Sequence, residues 1–294
     1  MLRLKKKIGI GVLAIFLIIS LSSISVLGIT VQEIINNMQK AYEKQMTGIN
    51  DYIVVQKPTG GMAAMAGETT TYYKKAKVEG EEIYKTRIES QAMGMTYVSI
   101  FDGKYTWSTN FMTGKIEKRL AENNPSQFWK NINATQTKYL GEEIIDGEKA
   151  HILQIDNALQ VMASQQAQAG MMQGEGLKEA SGKLWISSKT WLPLRMQFVM
   201  NMDSDEMKMN MITTTDFKDY RQVGSMLHPF QLTMQTTTEL DTSDMSAEEK
   251  KEKEQAMQMM QSMMSGMGSF TIETMEVKVN TGLSDDLFDG TKLN

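Results

Sequence analysis

Residues 192–202 read Leu192-Pro193-Leu194-Arg195-Met196-Gln197-Phe198-Val199-Met200-Asn201-Met202. Every second residue is apolar, and most of those between are polar. Side chains of an extended chain point alternately to opposite faces, so the pattern predicts a strand with one buried face. A turn at Asp203-Ser204-Asp205 follows, and Met207, Met209 and Met211 resume the alternation around Lys208 and Asn210. Beyond Gly224, Phe230, Leu232 and Met234 repeat it. Segments of the same period joined by short turns define an antiparallel meander with one apolar and one polar face.

The same signals extend in both directions. Upstream, strands are predicted at Tyr52–Gln56, Thr69–Tyr73, Ile83–Ser90, Tyr97–Phe101 and Lys104–Asn110. Further strands are predicted at Lys138–Ile145 and Lys149–Ile155. Asp102-Gly103 and Asp146-Gly147 are hairpin turn signals. The last strand runs from Phe270 to Asn280, with Met275, Val277 and Val279 in step. Helical spacing marks Ile29–Gln45, where Val31, Ile34, Ile35, Met38 and Tyr42 recur. Thr30 and Glu33 supply a capping box there. A short helix is expected over Pro125–Asn131. Around ten strands and few helices predict a mainly β (α+β) fold, one strongly curved antiparallel sheet rather than a packed sandwich.

The amino terminus has a different character. Arg3, Lys5, Lys6 and Lys7 precede an apolar run from Ile8 to Gly28. A basic start, an apolar stretch and a small residue at its end describe a secretory signal, residues 1–28. A cut after Val26-Leu27-Gly28 and an uncleaved inner-membrane anchor both fit, and either exports the rest, to the periplasm. Without those four charges 27 basic residues face 35 acidic ones, a net charge of −8. With no basic patch, nucleic acid is not an expected partner. No Pro/Gly/Ser-rich linker divides residues 29–294, so one domain is expected, interrupted near 58–67, 157–181 and 241–268. The third insertion ends in a methionine-rich stretch, with Met257, Met260, Met264 and Met267 along one face of a predicted helix.

Of 294 residues, 27 are methionine, 2 histidine and none cysteine. The missing cysteine excludes disulfides, thiol catalysis and thiolate metal sites. No serine has the context of a nucleophile, and no carboxylates can be paired in one pocket. Gly176–Lys183 misses the phosphate-loop spacing, and Leu184 stands where Ser or Thr is needed. Asp203-Ser204-Asp205 lacks the rest of a calcium loop. His151 and His228 read as structural. No catalytic residue, cofactor or resident metal is therefore assigned, and an enzyme is not expected. Three readings stay open for the methionines. They form an adaptable apolar lining, since Met is unbranched and polarizable; they are ordinary core; or their thioethers bind Cu(I).

Several stretches resemble one family. Residues 97–107, YVSIFDGKYTW, match an apolar strand, an Asp-Gly-Lys turn and an aromatic return strand. Residues 182–196, GKLWISSKTWLPLRM, 216–229, DFKDYRQVGSMLHP, and the closing 279–289, VNTGLSDDLFD, follow in the family's order. The chain resembles the LolA-like family of periplasmic lipoprotein carriers over essentially all of its exported part. That resemblance implies an unclosed β-barrel around a helix, with lid helices over a hydrophobic cavity for lipoprotein acyl chains. It also implies an inner-membrane exporter and an outer-membrane receptor as partners. The family's latch, an early-strand arginine with an aromatic residue four later, corresponds by position to Lys75 followed by Glu79. Lysine lacks the guanidinium fork.

Together these observations predict a periplasmic carrier that buries acyl chains of lipoproteins or related lipids and shuttles them toward the outer membrane. Its expected lining is Met196, Phe198, Met200, Met202, Met209, Met211 and Met234. Met260 and Met264 are the expected lid, and Lys75 the possible latch. A Met-rich Cu(I) chaperone and an envelope-stress sensor of the same fold are the alternatives.

Overall fold

The computed structural model describes residues 28–60, 66–92, 95–110, 113–121, 130, 132–158, 161, 177–203, 208–240 and 269–293. One helix, α1 (Val31–Gln45), opens the described chain. Early strands follow: β1 (Asp51–Thr59), β2 (Ala66–Val78), β3 (Glu81–Ala92), β4 (Met95–Phe101), β5 (Tyr105–Thr109) and β6 (Ile116–Leu120). The rest are β7 (Thr137–Ile145), β8 (Glu148–Ile155), β9 (Leu177–Ser187), β10 (Pro193–Asp203), β11 (Lys208–Val223), β12 (Met226–Leu240) and β13 (Ser269–Val279).

All thirteen strands form one antiparallel sheet in the order β6-β5-β4-β3-β2-β1-β13-β12-β11-β10-β9-β8-β7. The ends of that order, β6 and β7, are consecutive in the chain yet not paired, so the barrel is unclosed. More strands are present than the sequence predicts. The segment Ile116–Leu120 carries no alternating signal because four of its five residues are exposed on an edge strand.

Helix α1 starts on the capping box, with the Thr30 side chain accepting from the Glu33 amide and Glu33 accepting from the Thr30 amide. Ile34, Ile35 and Met38 pack onto Leu153, Ile155, Leu184, Ile186, Met196, Phe198 and Met200 of β8–β10. Past the helix, Met46 and Ile49 join Tyr52, Val54, Tyr84 and Met226 in a second cluster, and the Tyr84 hydroxyl donates to the Ile49 carbonyl. From β8 to β3 the order counts eight strand steps. Laid flat they would span about 38 Å, whereas a helix of 15 residues is about 22 Å long. The sheet therefore bends around α1, which sits on its concave face.

The carboxy-terminal segment crosses the convex face. Asp51, 5 % exposed, accepts hydrogen bonds from Thr281, Gly282 and Leu283. Burial opposes its ionisation, but those hydrogen bonds outweigh it and hold the carboxyl below the usual range. Arg87 donates to the Leu287 carbonyl, and Lys74 pairs with Asp285. Phe288 is buried, and Gly290 lies against the Trp107 ring.

Two bulges correct the alternation. The pairing of β9 and β10 shifts between Pro193 and Arg195. Leu194 consequently packs with Ile145, Ala150 and Trp185, not with Met196. The pairing of β1 and β13 shifts at Val55/Gln56, opposite Glu276 and Thr274. That leaves Met275 out of step and 56 % exposed, while Val277 and Val279 pack inward. An extra residue in one strand reverses the faces beyond it. Residues 1–27 of the signal segment, all of the helix expected at Pro125–Asn131 except Lys130, and most of the three insertions lie outside the described residues.

Candidate functional site: the concave face of β10–β13

Directly opposite residues of an antiparallel pair share a face. Met200 stands opposite Met211, Met202 opposite Met209, and Met196 opposite Thr215. On the next strand Met234 faces Thr215, and Leu232 faces Phe217. Met234 in turn stands opposite Phe270, and Leu232 opposite Ile272. These register positions form one apolar field on the concave side. On β11 and β12 it holds no formally charged residue between Met209 and Phe217 or between Phe230 and Thr238. Asp216, within those limits in sequence, points to the other face, where Arg195 of β10 stands opposite it and forms a two-pronged ion pair of 2.5 and 3.2 Å.

Burial divides the field. Met196, Phe198 and Met200 are 2, 8 and 7 % exposed and belong to the cluster under α1. They are packed core in this state. Gly182 makes room for Phe198: a Cβ there would meet the ring at 2.9 Å. Met209, Met211 and Met234 are only half-buried, as are Leu232, Phe270 and Ile272. Hydroxyls interleave with them. The Thr213 and Thr236 side chains hydrogen-bond at 3.2 Å, next to Met211 and Met234 in the ladder.

Of the expected lining, the structure thus brings all seven residues onto one face, Met202 by its register position alone. It separates three that are filled core from three that are partly open. Met260 and Met264 lie outside the described residues. Lys75 is ion-paired at 3.4 Å to Glu82 of the neighbouring strand, a contact within the sheet. Sequence reasoning left Leu232, Phe270 and Ile272 out of the site, although the alternation of β12 carried the first of them. A pocket of about 470 Å³ lies elsewhere, lined by Ile29, Glu33, Asn36, Asn37 and Lys40 on the polar side of α1.

Neither histidine faces that field as a reactive group. His151 stacks on Trp191 with ring centroids 5.3 Å apart, and its Nδ1 lies 3.1 Å from the Tyr139 hydroxyl. Burial lowers its pKa, against the opposing pull of Glu142. His228 opposes Arg221 near the β11–β12 turn, and burial lowers its pKa to about 4. Among the described residues, no helix is long and apolar enough to cross a membrane, and no cluster of three His, Asp or Glu side chains is placed to hold a metal ion.

No family model and no curated protein sequence matches the chain. Solved structures do. A DUF1329 family protein from Desulfovibrio piger superposes with a TM-score of 0.50 at 16% identity, covering 90% of this chain and 99% of that one. An outer membrane lipoprotein-sorting protein domain from Vibrio parahaemolyticus gives 0.48 at 12% identity, covering 87% and 96%. A LolA superfamily protein from Nitrosomonas europaea gives 0.43 at 12% identity, covering 88% and 97%. What is shared with the Desulfovibrio protein over that length is the fold. The architecture implied by the sequence resemblance, an unclosed antiparallel barrel around a helix, is the architecture the described residues adopt.

Proposed function

We propose that the exported chain, residues 29–294, is a non-enzymatic carrier that holds acyl chains of lipoproteins or related lipids against the concave face of β10–β13. One observation carries this reading: an uncharged apolar strip stays half-open there while the adjoining strip is filled by α1. Half-open apolar surface in a concavity is what an alkyl chain would cover, at about 0.8 kcal/mol per buried methylene. Methionine suits a cargo of variable shape, because its unbranched chain adapts to irregular surfaces. In this reading segments bearing Met260 and Met264 close over the cargo. The partners are an inner-membrane exporter that loads it and an outer-membrane receptor that takes it.

Mass spectrometry of whatever co-purifies from the periplasm tests the cargo directly. A fluorescent, dansyl-labelled fatty acid tests the surface. Wild type is expected to bind it with a blue shift. Met211→Lys is expected to weaken binding at least about tenfold, because a charge enters an apolar contact. A protein that purifies without lipid and leaves the dye unbound defeats the reading.

One observation favours a second reading. Met200, Met211, Met202 and Met209 occupy two adjacent cross-strand pairs, and thioethers suit Cu(I). A Cu(I) titration decides: stoichiometric tight binding that disappears on Met→Leu exchange would replace the carrier reading.

A further inference from the structure

We infer that Met209, Met211 and Met234 are a reversible oxidation site through which peroxide switches acyl binding off. This rests on the carrier reading above and adds a means of regulating it. Thirteen strands offer many places for branched or aromatic residues, which strands favour, yet this strip uses methionine. The chain has no cysteine, so thioether sulfur is the only sulfur it can offer to an oxidant.

Exposure singles out the three. Met196 and Met200 are 2 and 7 % exposed beneath α1, shut away from solutes. Met209, Met211 and Met234 lie on the same face but are half-open. A peroxide molecule reaching them transfers one oxygen to sulfur. The O–O bond breaks as the S–O bond forms, sulfur loses two electrons, and the peroxide leaves as water. The product, methionine sulfoxide, is polar, and reductases return it to the thioether.

The surroundings determine what that polarity does. Thr215 stands opposite Met234, Thr238 opposite Met211, and the Thr213–Thr236 hydroxyl pair lies between these positions. The Thr213 and Thr236 hydroxyls already hydrogen-bond each other, so a sulfoxide oxygen on the strip takes its hydrogen bonds from water. An alkyl chain laid over it would strip those dipoles of water with no compensation. Oxidation therefore turns an acyl-binding strip into a hydrated one while the core beneath α1 stays intact. Met275, 56 % exposed on the bulge of β13, is an internal control, more open to oxidant but outside the strip.

The test uses the full exported chain, hydrogen peroxide and the dansyl-labelled fatty acid. Peptide mass mapping is expected to show oxygen gained at Met209, Met211, Met234 and Met275 before Met196 and Met200. Dye affinity is expected to fall at least about tenfold and to recover with methionine sulfoxide reductase. Met275→Leu should leave both affinity and peroxide sensitivity unchanged. The triple variant Met209→Leu, Met211→Leu, Met234→Leu is compared with itself before and after treatment: whatever its starting affinity, peroxide should not lower it. The inference is overturned if the triple variant loses affinity as wild type does, or if wild type oxidised at all three sulfurs still binds fully. Untreated protein that binds no dye defeats the carrier reading and, with it, this switch; binding that oxidation leaves unchanged defeats the switch alone.

Discussion

At His228 the imidazole Nε2 is closed off from solvent with no hydrogen-bond partner among the described residues. Its ring meets Phe230 edge-on at 6.0 Å. The nearest charge in the ladder, Arg221, is turned onto the Phe230 ring and pairs with Asp219. No group among the described residues compensates a protonated ring, so His228 is neutral in the fold, with its pKa lowered from 6.5 to about 4. The sign follows. Between pH 6.5 and 4 the unfolded chain takes up a proton that the folded chain refuses, so stability falls as pH falls. At about 1.36 kcal/mol per unit, the full interval costs about 3 kcal/mol. Above 6.5 the group contributes no pH dependence. His228→Leu is expected to remove this slope, leaving the variant less acid-sensitive than wild type. Urea unfolding at pH 7 and pH 4.5 measures it, and equal losses in the two proteins would show that His228 is hydrated.

The carboxy-terminal segment is fastened at several points across the convex face, and Gly290 is the tightest of them. A Cβ built there would lie 2.1 Å from the Trp107 ring. Trp107 is itself held by its indole N–H donating to Asp102 at 2.8 Å. Neither partner can retreat freely, so Gly290→Ala is expected to cost about 1–3 kcal/mol. The Trp107 emission should shift red as the segment lifts. Unchanged emission and stability would mean that the segment is not pressed onto the ring. Asp102 was legible before the structure: Asp102-Gly103 announced the turn, and the carboxylate does accept from Lys104 and Tyr105. So were the capping box of α1 and the Asp146-Gly147 hairpin, where both residues take positive φ. All three are local, decided by residues within a few positions of one another. The bulges at Leu194 and Met275 were not legible, because a bulge is defined by the partner strand. Edge strand β6 escaped because it has no buried face to alternate with. The division of the methionines escaped too, since only the seat of α1 makes Met200 core and leaves Met211 open.

Across the whole molecule, α1 is shared property. Its first turns complete the cluster of β8–β10, the residues following it complete the cluster of β1, β3 and β12, and Tyr42 touches both. An open sheet has no closure to couple its two ends, so the coupling runs through the helix and the continuous ladder. Cooperative unfolding of a chain this long then depends on one 15-residue element as well as on the ladder. Ile34 is 0 % exposed at the centre of its contact, and Ile34→Ala is expected to cost about 2–5 kcal/mol. Two single-tryptophan proteins report where that loss is felt, one keeping Trp107 on β5, the other Trp185 on β9. If α1 joins the halves, Ile34→Ala lowers the denaturation midpoint equally at both reporters, although Ile34 belongs to the cluster of the late strands. A midpoint that moves at Trp185 and stays at Trp107 would divide the sheet into two independently folding halves. It would also remove the rigid frame against which a half-open concave strip stays half-open.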